Sequence, residues 1–236
     1  VIMSTPNVPL IDLQKASKDK AQLKLLDAAC RDHGFFLLKN HGMQDEINNM
    51  WSMSEWFFAQ QRKDKLKLLR SEEIPLGFYD RELTKQKRDL KEVFDFMETR
   101  SEKDINQWPD EPLFRETMES FFKKSSEVAK ETLDLILLCL GISKNDLIFG
   151  DSKTSNARLN FYPVDDPLSL LEKNEVNGLG DMALHHHTDP GILTLLLQDM
   201  TGGLQAKSKE FGWIDIIPEE DSIVVNLGDA MQVWTN

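Results

Sequence analysis

The chain has 236 residues, a formal net charge of −12, 40% hydrophobic residues and 29% charged ones. That length is within reach of one large β-rich domain, with two smaller ones possible. The acidic balance argues against nucleic acid or an anionic membrane as partner, since both demand a basic footprint. No apolar run reaches the roughly 18 residues of a spanning helix. The first residues lack the basic and apolar regions of a secretory signal, and Cys30 and Cys139 both sit in helical apolar patterns. Two buried thiols in a reducing, cytoplasmic compartment are the expectation.

In chain order, Val8 to Leu13 reads as a short strand, with Pro9 tolerated at its start. Leu23, Leu26, Cys30 and His33 recur at helical spacing, which predicts a helix from about Lys18 to His33, ended by Gly34. Phe35 to Asn40 is a buried strand, and Asn40-His41-Gly42 turns the chain. A second helix is predicted from about Gln44 to Leu69. Trp51, Trp56, Phe57 and Phe58 form an aromatic stripe on it, read as core packing rather than a cofactor pocket. The charge run Lys63 to Lys67 reads as a solvated helix face. Ile74 to Tyr79 breaks the helix, and Leu90 to Phe96 alternates like a half-exposed strand. Pro109 and Pro112 introduce a long helix to about Leu140, with Phe114, Met118, Phe121, Phe122, Val128, Ala129, Leu133, Ile136 and Leu140 on its apolar face and Gly141 closing it.

After Gly150 the pattern changes to short strands and turns. Asn156 to Pro163 is a strand with Arg158, Asn160 and Tyr162 on one face and Leu159 and Phe161 on the other. Asp165 to Asp181 is a polar loop. Strands follow at 184–189, 192–198, 202–206, 213–216, 223–227 and 231–234. Short strands at regular spacing indicate a sandwich or barrel. The division expected is a helical region with flanking strands over 1–150 and a jelly-roll core over 151–236.

One stretch carries chemistry: His185-His186-His187-Thr188-Asp189-Pro190-Gly191, leading into an apolar strand. In extended chain, residues two apart point to one side, about 7 Å apart, whereas His185 and Asp189 would lie about 13 Å apart. The pair that converges on one ion is therefore His187 with Asp189. Two His and one carboxylate on one face of a metal form the facial triad of non-haem Fe(II) oxygenases, and this stretch supplies two of those three ligands. A zinc site is the competing metal reading, and a hydrogen-bonded structural pair is the reading without metal.

The residues also resemble a known family, the isopenicillin-N-synthase-like branch of the 2-oxoglutarate- and Fe(II)-dependent dioxygenases. The resemblance rests on Val8 to Leu13, on Gly34-Phe35-Phe36 with Asn40-His41-Gly42, on Lys91 to Phe96, and on Arg158-Leu159-Asn160-Phe161-Tyr162-Pro163. It continues through His187 to Leu196, Gly202 to Gln205, Trp213-Ile214, Val225 to Asp229 and Trp234-Thr235-Asn236, in family order. It implies an α+β chain with a mostly β core, a double-stranded β-helix (jelly roll) behind a helical N-terminal region. His187 and Asp189 match iron ligands, Asn160 and Tyr162 match contacts to 2-oxoglutarate, and His41 and Arg158 are read as structural. The family's distal His and Arg-x-Ser motif would follow Trp234-Thr235-Asn236, where the sequence ends. The expectation is thus a fragment that lacks the final strands and binds iron poorly as written.

The function implied is oxidation of a small organic substrate by hydroxylation, desaturation or ring closure. The reaction would use Fe(II), O2 and 2-oxoglutarate as cosubstrate, with ascorbate dependence expected of the class. The protein would be a monomer with no nucleic-acid or membrane partner. Two other readings stand beside it: a non-catalytic jelly-roll binding protein derived from the family, and an oxidase of the same fold that uses no 2-oxoglutarate.

Overall fold

Strand β1 (Leu10–Asp12) ends before Leu13 because the Asp12 carboxylate accepts from the Lys15 amide at 3.1 Å and caps helix α1 (Leu13–Ala16). The strand predicted through Leu13 is shortened accordingly. Asp19 caps α2 (Lys20–Asp32) in the same way, and Gly34 follows it at φ +80°. Strand β2 (Phe35–Lys39) leads through Asn40 and Gly42, both at positive φ, into α3 (Gln44–Phe58). A computed structural model describes residues 7–99, 104–143, 154–181, 187, 189 and 191–231.

The helix predicted to run to Leu69 instead breaks after Phe58 and resumes as α4 (Arg62–Lys65) and a 3-10 turn (Leu66–Leu68). The break lets Lys65 reach back: its Nζ donates to the Phe58 carbonyl at 2.9 Å and pairs with Glu92 at 2.8 Å. Lys65 is buried, so this charge run is not wholly a solvated face. Strands β3 (Gly77–Tyr79), β4 (Leu83–Thr84), β5 (Lys87–Arg88) and β6 (Glu92–Met97) follow. The expected half-exposed alternation fails in β6. Residues from Glu92 to Phe96 are all buried, and its two carboxylates are neutralised in place, Glu92 by Lys65 and Asp95 by Arg158.

Helix α5 (Pro112–Leu140) is followed by Gly141 at φ +67°. Phe114, Met118, Phe121, Phe122, Val128 and Ile136 of the predicted face are buried, joined by Thr132, Leu135 and Leu137. Strand β7 (Asn156–Phe161) comes next, and the stretch read as a loop contains α6 (Leu170–Lys173), started by a Ser169–Glu172 capping box. The remaining strands are β8 (Leu193–Leu196), β9 (Gln205–Ser208), β10 (Gly212–Asp215) and β11 (Ile223–Leu227). Met231 lies in a helical turn rather than a strand. Residues 232–234 of that predicted strand, and 184–186 and 188 of the one ending at Asp189, lie outside the described residues.

The chain forms two compact units of discontinuous sequence. The first comprises Val1–Gln44, Ser125–Phe149 and Thr188–Asn236. Its four-stranded sheet has the order β1-β2-β11-β8, with β1 parallel to β2 and the other pairs antiparallel. Phe35, Leu37, Ile214, Ile216 and Val224 form an apolar core there, with Leu196, Leu204 and Ala206 packed against it. The second unit comprises Asp45–Lys124 and Gly150–His187. Its three-stranded sheet β3-β6-β7 is covered by rings. Phe57 lies 4.8 Å from Phe94 and 5.4 Å from Phe114 between centroids, so the α3 aromatic stripe is core at Phe57 and Phe58. The architecture is α+β, with a helical N-terminal region and several sheets. Among the described residues no helix is long and apolar enough to cross a membrane.

Candidate functional site

Asp189 belongs to the first unit and stands just ahead of β8. The turn that follows β11 holds its backbone. Gly228 N donates to Ile192 O, Asp229 N to Asp189 O and Ala230 N to Gly191 O, each at 3.0 Å. The approach is close enough to demand glycine at 228: a Cβ there would overlap the Gly191 carbonyl oxygen and sit 2.7 Å from its carbonyl carbon. The side chain is fixed separately. Asn226 of β11 donates from Nδ2 to Asp189 Oδ2 at 3.0 Å. Asp189 as a residue is half-buried.

His187 is an exposed residue of the second unit. His185 and His186 lie outside the described residues. The other two histidines are occupied in the first unit. Met43 N donates to His41 Nδ1 at 3.0 Å, which leaves the proton on Nε2 to be donated to the Asp221 carbonyl, also at 3.0 Å. His33 Nδ1 bonds Ser208 Oγ at 3.0 Å, and its ring stacks on Phe211. Imidazole and carboxylate are donors that Fe(II) accepts, and the amide that holds Asp189 brings no charge of its own. Among the described residues no group of three or more His, Cys, Asp or Glu is placed to hold a metal. His187 and Asp189 each carry a donor type of such a ligand set, one in each unit.

Asn160 and Tyr162 belong to the second unit. Asn160 is exposed on β7, opposite Val93 of β6, and Tyr162 follows the strand at 47% exposure. Burial of the phenol pushes the Tyr162 pKa up, the Asp89 carboxylate adds to the rise, and the Arg158 guanidinium opposes it. Tyr162 is thus a neutral hydrogen-bonding group at ordinary pH. Arg158 shares their face, and its role is visible. It grips Asp95 with two bonds, Nε to Oδ1 at 2.7 Å and Nη2 to Oδ2 at 2.8 Å, and reaches Glu82 at 3.3 Å. Glu82 also pairs with Arg70 at 2.6 Å. Its pKa is lowered: burial opposes the change, while Arg158, Arg70 and Lys91 outweigh it.

Two features here escape sequence reasoning. One is the Arg158–Asp95–Glu82 network, whose members are scattered among three segments. The other is Asn226, a polar residue between buried Val225 and buried Leu227. That position is itself a signal, since a polar side chain in a buried strand is costly unless something pairs with it.

Two family descriptions match the chain: residues 8–111 match the non-haem dioxygenase in morphine synthesis N-terminal region, and residues 154–236 match the 2OG-Fe(II) oxygenase superfamily. The chain is 31% identical to the 2-oxoglutarate-dependent dioxygenase ecdK of Aspergillus rugulosus, over 86% of this chain and 68% of that protein. It is 34% identical to naringenin,2-oxoglutarate 3-dioxygenase of Petunia hybrida, over 88% of this chain and 56% of that protein. Across these and similar curated relatives the chain spans between 56% and 71% of their length. Among solved structures, a full-length Neurospora crassa protein in complex with alpha-KG and 5-formyluracil superposes with a TM-score of 0.79 at 29% identity, covering 99% of this chain and 76% of that one.

Proposed function

The chain belongs to the 2-oxoglutarate- and Fe(II)-dependent oxygenase superfamily, and from that premise we propose that the protein oxidises a small organic molecule by hydroxylation, desaturation or ring closure. Fe(II) and 2-oxoglutarate are used by this family of dioxygenases. The observation that carries the reading is the Asp189 carboxylate, held by Asn226 at the head of β8, two residues after an exposed imidazole.

In this reading His187 and Asp189 would hold the metal, and the chemistry it would supply is activation of O2 coupled to conversion of 2-oxoglutarate to succinate. Asn160 and Tyr162 bind the cosubstrate, Asn160 through its amide and Tyr162 through a phenol that stays protonated. Arg158 positions them by fixing β7 to β6 through Asp95. In this reading 151–236 contributes the jelly-roll core and 1–150 a helical region with flanking strands. The two family matches, 8–111 and 154–236, support this division. The protein works as a cytoplasmic monomer.

Oxygen uptake and succinate release by the complete natural protein, with Fe(II) and 2-oxoglutarate, test the reading. Fe(II)-dependent succinate formation in step with oxygen uptake, abolished by His187→Ala and by Asp189→Ala, is expected. Oxygen uptake without succinate would make the protein a 2-oxoglutarate-independent oxidase. No iron uptake and no turnover would make it a binding protein of this fold.

A further inference from the structure

Asn226 occupies a strand position where an apolar residue would be expected. It shares one face of the sheet with Phe35 of β2 and Thr194 of β8, its register partners, next to Val224 of the apolar core. Its neighbours Val225 and Leu227 are buried. A polar group there is tolerated because its Nδ2 finds Asp189 Oδ2 at 3.0 Å. The backbone of Asp189 is already fixed by the 228–230 turn, so the side-chain bond is not needed to place the main chain. What it settles is the last torsion of the aspartate, which is otherwise broad.

We propose that Asn226 is a positioning residue for Asp189: by donating to Oδ2 it helps orient the carboxylate that would serve as a metal ligand. The inference rests on the metal role of Asp189 given above. An amide suits this task better than a cation would. A lysine or arginine in its place would bring a positive charge beside the carboxylate, whereas the Asn226 amide is neutral. Groups of this kind, one bond behind the ligand, tune metal affinity and geometry.

The test uses Co(II) as probe, titrated anaerobically into the complete natural protein, into Asn226→Ala and into Asn226→Leu, the latter close in size but without a donor. Visible absorption reads both affinity and coordination geometry, and far-ultraviolet circular dichroism of the metal-free proteins reads folding. Weaker Co(II) binding by about 10- to 100-fold, with an altered absorption pattern in both folded variants, is expected. Wild-type affinity and spectrum in either folded variant would overturn the inference. So would an affinity loss that appears only together with unfolding of the metal-free variants, which would make Asn226 a structural residue alone. Wild-type protein that takes up no Co(II) would overturn the metal reading and this inference with it, which separates the two failures.

Discussion

Gly228 and Gly191 approach so closely that a single added methyl group at 228 would overlap the Gly191 carbonyl. The contact lies beside Asp189, and the backbone bonds around it fix the chain that presents the carboxylate. Gly228→Ala must push that backbone apart. The expected cost is about 1–3 kcal/mol, as for other overpacking substitutions, read as a lowered denaturation midpoint with an unchanged denaturant slope. The same variant should bind Co(II) more weakly than wild type, because the strain falls on the Asp189 main chain.

Lys65 and Glu92 form a buried pair in the second unit, 2.8 Å apart, and both residues are almost fully enclosed. Removing one partner strands the other charge. Lys65→Met should therefore cost about 3–5 kcal/mol. The double variant Lys65→Met, Glu92→Leu should recover most of that loss, since two apolar groups need no compensation. Urea unfolding of the three proteins measures both values.

Glu172 links acidity to stability. Bonds from Ser169, backbone and hydroxyl, lower its pKa to about 2; burial opposes the change, and Arg62 adds to the lowering. The folded value lies below the ordinary carboxylate value of 4.5, so the unfolded state takes up the proton first. The stabilisation is full above about pH 4.5 and is lost as pH falls toward 2. Glu172→Gln should melt lower than wild type at pH 7, and the gap should close between those two pH values. A gap that stays constant from pH 7 to pH 2 would contradict this assignment.

Cys30 and Cys139 are half-buried rather than the fully buried thiols expected, and both should react slowly with thiol reagents in the folded protein. Burial pushes the Cys30 thiol up to about 12, with Cys139 and Asp27 adding to the rise, and burial also raises Cys139. At pH 8 Cys30 is then overwhelmingly thiol rather than thiolate. Ellman's reagent should react slowly with native protein and promptly with both thiols after denaturation.

Much of the fold is legible in the sequence because hydrophobic period is a local signal. The helix ended by Gly34, the strand Phe35 to Lys39 and the long helix closed by Gly141 stand where their patterns place them. Two of the errors share a cause, which is charge satisfied at long range. Lys65 looks solvated until Glu92, far along the chain, is seen beside it. Strand β6 looks half-exposed until its carboxylates are matched to Lys65 and Arg158. The family is legible from ordered motifs, and the comparisons bear it out. The candidate metal pair, His187 and Asp189, is a reading of residue types and spacing. The partner of Asp189 is hidden, because the Asn226 bond joins positions 37 residues apart through sheet pairing.

The most direct measurement is equilibrium binding of Fe(II), under anaerobic conditions and with 2-oxoglutarate present, to the complete natural protein and to its His187→Ala and Asp189→Ala variants. Stoichiometric Fe(II) in the wild type and its loss in both variants is the expected result. Equal Fe(II) uptake by all three, or none by the wild type, would contradict the assignment of His187 and Asp189 as metal ligands.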